Sequence, residues 1–284
     1  MAVKTTSRKF ELFAIHAHKG ANVDYTQMMD LIVKTPPEKR VLINGDSALA
    51  VSKARKAEGL YFFTVVEGPI GVDPLIYDLV SASERTEELD DSEVLAERTH
   101  VLIDSIKRRA AIEYVRRGAK YYQVASVIEH VIRNSSQNMH SFGLDMSPVV
   151  EKDFLTEMSE FQRVRAARIT VNKPNASWSD HYTGMSDIMD ESNGDKASLE
   201  VNAPREGGLS KAKGVLKIIK DIVNDPQPYL QDVRLMGVRK GEDAETGLSL
   251  KKHVKHSRAK VSVDESGHVN ENQAFHHLNG LIKQ

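Results

Sequence analysis

THVLIDSIKRRAAIEYVRRGAKYYQVASVIEHVIRN, residues 99–134, is the stretch on which the fold reading turns. Two runs rich in Val and Ile, THVLID and AAIEYV, flank the charged turn SIKRR, which is the pattern of a β-hairpin. Beyond Gly118 the period changes. Tyr121, Val124, Val127, Ile128, Val131 and Ile132 recur at spacings of three and four, the signature of an amphipathic helix. A hairpin running directly into a helix, with antiparallel strand patterns and irregularly spaced helices elsewhere, predicts an α+β fold.

The same stretch carries a local field. Lys107, Arg108 and Arg109 fall at the hairpin tip, and Arg116, Arg117 and Lys120 at the strand-to-helix turn, against the single carboxylate of Glu113 in that strand. Over the whole chain of 284 residues, 39 Lys and Arg balance 40 Asp and Glu, for a net charge of −1. A globally basic nucleic-acid binder is therefore excluded, and any field must be local. The absence of cysteine excludes disulfides, thiolate metal sites and a thiol nucleophile. The first twenty residues lack the apolar core of a signal peptide, and no run approaches the ~18 apolar residues of a spanning helix. A cytoplasmic location is expected.

Working outward, residues 10–18 alternate as an opening strand, and Asp24 is placed to cap a short helix stopped by Pro36 and Pro37. Residues 41–44, 48–52 and 60–66 read as strands, and residues 84–97, with seven acids, as a solvated loop or helix. Residues 134–148 have neither period, so the domain boundary is set there, giving domains 1–140 and 141–284. In the second domain, helices are predicted at 151–161 and 209–223 and a short one at 185–189. Strands are predicted at 163–172, 197–202, 232–238 and 247–263, and residues 270–284 add a helix. In 163–172 the alternation puts Val164, Ala166, Arg168 and Thr170 on one face.

Most catalytic patterns fail on spacing. Residues 207–214, GGLSKAKG, have the glycines and lysines of a phosphate loop in the wrong order, and no Gly-x-Ser-x-Gly elbow occurs. His16 and His18 share a strand face without a third ligand at recognisable spacing, His253 and His256 lie inside a basic run, and His276 and His277 point apart. The arginine-to-histidine spacing of Arg133 and His140, used by some helical ribonucleases, runs off a helix into a loop. A hairpin nuclease would hold a divalent ion between Asp104 and Glu113, but the lysine such an enzyme needs is replaced by Val115. No cofactor or resident metal is called for.

The electrostatic pattern is left. Residues 247–263 contain no acid but include Lys251, Lys252, Lys255, Arg258 and Lys260, while Lys213, Lys217 and Lys220 line one side of the 209–223 helix. Cations that meet phosphates release counterions and bind without reading sequence. The expected phosphate contacts are Lys107, Arg108, Arg109, Arg116, Arg117, Lys213, Lys217, Lys251, Lys252, Lys255 and Arg258. Trp178 and the few other aromatics form no evident stacking platform.

KAKGVLKIIKDIVNDPQPYLQDVRLMGVRKGEDAETGLSL has a Lys-rich helix, a stop at Asn224, Pro226 and Pro228, then a strand and a Gly/Asp/Glu turn. Across roughly residues 160–263 this order resembles the phage lambda RexA-like exclusion proteins. The resemblance implies a two-domain, DNA-binding homodimer with no known catalytic residue, acting in phage exclusion beside a membrane-protein partner. The expected function is sequence-independent DNA binding without catalysis. The alternatives are a metal-dependent nuclease effector using Asp104 and Glu113, and a protein–protein interaction subunit.

Overall fold

The computed structural model describes residues 4–18, 24–90, 92–135, 139, 142–151, 153–172, 192, 196–204, 206–224 and 230–284. Its first half contains β1 (Thr5–His18), α1 (Tyr25–Lys34), β2 (Val41–Asn44), β3 (Ser47–Ala57) and β4 (Leu60–Pro69). These are followed by β5 (Leu75–Asp78), β6 (Ser83–Thr86), β7 (Glu97–Asp104), β8 (Arg109–Tyr114), α2 (Tyr121–Ser135) and β9 (Gly143–Pro148). Then come α3 (Asp153–Glu160), β10 (Phe161–Asn172), β11 (Lys196–Asn202), α4 (Val215–Asn224), β12 (Leu230–Arg239) and β13 (Glu245–Ser249). A 3-10 turn (Leu250–His253), β14 (His256–Ser262) and α5 (Glu271–Ile282) close the chain. The fold is α+β, with largely antiparallel sheets.

Two compact units emerge, and the chain crosses between them more than once. The first comprises Met1–Glu11, Gly20–Leu144 and Ser257–Gln284, the second Leu12–Lys19 and Asp145–His256. The chain passes from the first unit to the second near residue 144, and residues 257–284 return to the first. The reason is pairing: β14 lies beside β1 in the sheet, and α5 packs on β7 and β8.

In the first unit the sheet runs β14-β1-β8-β7-β4-β3-β2. Successive side chains of a strand point to opposite faces, and β4 shows the consequence. Tyr61 donates its hydroxyl hydrogen bond to Asp30 of α1 at 2.8 Å, while the next residue, Phe62, meets Phe275 of α5 edge-on at 5.0 Å. So α1 and α2 cover one face and α5 the other. The stripe predicted for α2 is the buried one, with Val124, Val127, Ile128, Val131 and Ile132 fully enclosed. Asp24 caps α1 as expected, accepting from the Thr26 and Gln27 N–H groups at 2.8 and 3.2 Å. β5 and β6 form a separate two-stranded ribbon, so the acidic stretch begins as strand, and its tip exposes Leu79 and Val80 almost completely.

In the second unit, β9 pairs with β1, and a four-stranded sheet runs β11-β10-β12-β13. One core gathers Phe154 and Met158 of α3 and Leu216 and Ile219 of α4 against Phe161, Ala167, Ile169, Val233 and Leu235 of the sheet. The opposite face is polar, with Arg168 ion-paired to Glu200 directly across the β10–β11 register.

Three expectations need correction here. Val164 does not share a face with Ala166, Arg168 and Thr170, because the β10–β12 register shifts between Val164 and Ala166 and the bulge reverses the alternation. The helix expected from residue 209 starts at Val215: the Leu209 N–H is drawn to the Val164 carbonyl at 2.8 Å, and Gly214 takes a left-handed φ of +64°. Residues 247–263 are not one strand run, since the buried Leu250 and His253 turn the chain through the 3-10 segment. The helix at 185–189, Trp178, His140, Pro226, Pro228 and the side chain of His18 lie outside the described residues.

Candidate nucleic-acid interface

The nominated cations are mostly exposed, but they do not form the single hairpin surface that sequence proximity suggests. Lys107 and Arg108 sit in the β7–β8 turn, where Asp104 Oδ1 accepts from the Ile106 and Lys107 N–H groups at 3.0 and 2.9 Å. Arg108 holds a positive φ of 54°, and its guanidinium lies 4.9 Å from the centre of the Tyr25 ring. Arg116 and Arg117 follow β8 at its other end, about 17 Å away along an extended strand of this length. Lys120 is withdrawn altogether. Its Nζ donates to the Val115 and Arg116 carbonyls and stacks over the Tyr114 ring at 5.0 Å, and burial holds its pKa below the ordinary lysine value.

In the second unit, Lys217 lies exposed on α4 while Lys213 precedes the helix. Lys251 and Lys252 project from the 3-10 turn, and Lys255 is half-buried just beyond it. Arg258 is exposed on β14, in the first unit. Of the eleven nominated cations, Lys251 alone has a carboxylate within 4.0 Å among the described residues, Asp232 Oδ2. By contrast, Lys53, Lys56, Arg133, Arg165, Arg168 and Arg239 are each ion-paired to Asp or Glu.

The nuclease geometry is not assembled. Asp104 pairs with Arg109, and Glu113 lies four residues further along β8, about 13 Å away at the rise of a strand, whereas carboxylates sharing an ion must nearly touch. Both are otherwise engaged, Asp104 in its turn and Glu113 in a buried polar knot that was not anticipated. Glu113 is 1% exposed and its Oε2 lies 2.6 Å from Nδ1 of His100, itself 3% exposed. Arg8 Nε approaches Glu113 Oε1 at 3.5 Å, an ion-pair distance without hydrogen-bond alignment. Phe275 packs edge-on against the imidazole at 5.3 Å. Arg8, His100 and Glu113 line a cavity of about 70 Å³ with Glu97, Arg98 and His268, room for a water or two. Among the described residues, no Ser, Thr, Cys or Lys borders that cavity.

A cleft of about 500 Å³ at the C-terminal end of α1 is lined in part by Lys34, Lys39 and His130. No described helix is long and apolar enough to cross a membrane. No protein-family model matches the chain, and no curated protein matches it significantly, so its chemistry is read from these residues alone.

Proposed function

We propose that this protein binds DNA through its phosphates, without reading sequence and without catalysis, and that it does so as a homodimer in phage exclusion beside a membrane-protein partner. What supports the binding is one observation: among the described residues, the exposed Lys and Arg at the β7–β8 turn, the β8–α2 turn, α4 and the 3-10 turn have, Lys251 apart, no carboxylate within 4.0 Å. Such side chains can neutralise phosphates, displacing into solution the cations condensed on the DNA. The exclusion role and the partners rest on the RexA-like order of elements in residues 160–263.

The test is fluorescence anisotropy on duplex DNA of two unrelated sequences across a salt series. The expected result is equal affinity for both, falling linearly in log–log form with a slope of about −0.9 per phosphate neutralised. Reversal of Lys251, Lys252 and Lys255 to Glu should reduce affinity at least tenfold with an unchanged thermal midpoint. Absence of binding at ~50 mM salt, where the electrostatic term is strong, would overturn the proposal. That outcome would favour the interaction-subunit reading, for which the ribbon tip, with Leu79 89% and Val80 97% exposed, is the supporting feature.

A further inference from the structure

α3 opens with Asp153 and carries Glu157 one turn later, so the two carboxylates share a face while Phe154 and Met158 point into the core. The 3-10 turn brings His253 against that face. Its carbonyl accepts from the Glu151 N–H at 2.8 Å, and the Phe154 ring meets its imidazole edge-on at 5.4 Å, so both backbone and ring plane are set. His253 Nδ1 lies 3.2 Å from Asp153 Oδ1, and its Nε2 lies 3.8 Å from Glu157 Oε1. One donor atom from each of the three residues falls within 4.8 Å of the others.

The imidazole is 8% exposed, yet its Nδ1 is buried with no hydrogen bond. An ordinary His–Asp contact would align the N–H with the carboxylate, and a buried polar atom left unpaired costs about 1–3 kcal/mol. A separation of 3.2 Å is instead what two neighbouring ligands show when each stands about 2.0–2.1 Å from one ion. Arg239 engages the other oxygen of Glu157, Oε2, at 2.7 Å, and leaves Oε1 toward the histidine.

We propose that Asp153, Glu157 and His253 bind one divalent transition-metal ion of the zinc class. One imidazole and two carboxylates are the donors such ions take in a protein without cysteine. Three protein ligands leave a fourth position open, and the side chains of Asp153 and Glu157, 54% and 34% exposed, put that position at the surface. The ion would also clamp the turn bearing Lys251 and Lys252 to α3. This site stands independently of the nucleic-acid reading.

The full chain, freed of metal by chelator and dialysis, is titrated with zinc by calorimetry and with cobalt by absorbance. The expected result is one zinc bound per chain that is lost in Asp153→Asn/Glu157→Gln, with affinity falling by more than the ~10–100-fold caused by losing a supporting residue. Asp153 is exposed and Glu157 half-buried, both replacements are near-isosteric, and an unchanged thermal midpoint verifies that the fold is retained, while His253→Gln supplies the third ligand's test. Cobalt should give visible ligand-field bands in the wild type that the double variant lacks. Equal stoichiometry and affinity in wild type and double variant would place any bound zinc on other histidines and overturn the site.

Discussion

Glu113 shows how far one residue can be read. Its place in a Val- and Ile-rich strand was legible, and continuing the β7–β8 register one pair past Val101 and Ile112 sets it opposite His100. What the strand pattern could not supply is Arg8, which reaches the same carboxylate from β1 over a hundred positions earlier. Breaking a buried charged contact leaves its partners uncompensated. Glu113→Ala should therefore lower stability by about 3 kcal/mol, and Glu113→Gln, which keeps an acceptor for His100, by less. Urea denaturation checks both, and equal midpoints for wild type and Glu113→Ala would mean that the knot contributes nothing. His253 was visible only as one histidine in a basic run. The carboxylates that face it lie about a hundred residues away on α3, so no local spacing announced them.

Secondary-structure elements were legible where one face is apolar and one polar. The β7–β8 hairpin, α2, the Asp24 cap and the C-terminal helix all follow from period and end signals. The failures have a common cause, which is backbone geometry imposed by a neighbour. The bulge in β10 is decided by its pairing with β12, where Gly237 sits so close that an added Cβ would stand 2.2 Å from the Arg163 carbonyl oxygen and 2.8 Å from the Val164 Cα. Both obstacles are backbone and cannot rotate away. Gly237→Ala should cost about 3 kcal/mol, at the upper end of overpacking penalties, and loosen the second unit, read as faster amide exchange in β10 and β12. Unchanged exchange there would show that the strands can separate at little cost. The delayed start of α4 has the same origin, since the Val164 carbonyl captures the Leu209 N–H.

For the chain as a whole, the consequential finding is that the first unit is finished by the last residues. α5 buries Phe275, Leu278, Leu281 and Ile282 on the sheet, and four such side chains contribute about 8 kcal/mol together at about 2 kcal/mol each. That is comparable to the whole stability of an ordinary domain. A chain ending at Val263 should lose the cooperative thermal transition of its first unit, followed by circular dichroism. A retained transition with an unchanged midpoint would mean that residues 1–144 suffice.

By itself the sequence determined the α+β class and most element positions. These depend on composition and on periods of two and 3.6, which act over a few residues. Only the tertiary structure decided that the hairpin cations split between two ends of a strand, and that residues 257–284 complete the first unit. It also brought Arg8 to His100 and Glu113, and His253 to Asp153 and Glu157. Each of these is a meeting of segments distant in sequence, set by which strands pair and which helix faces need covering, and no local pattern encodes that choice.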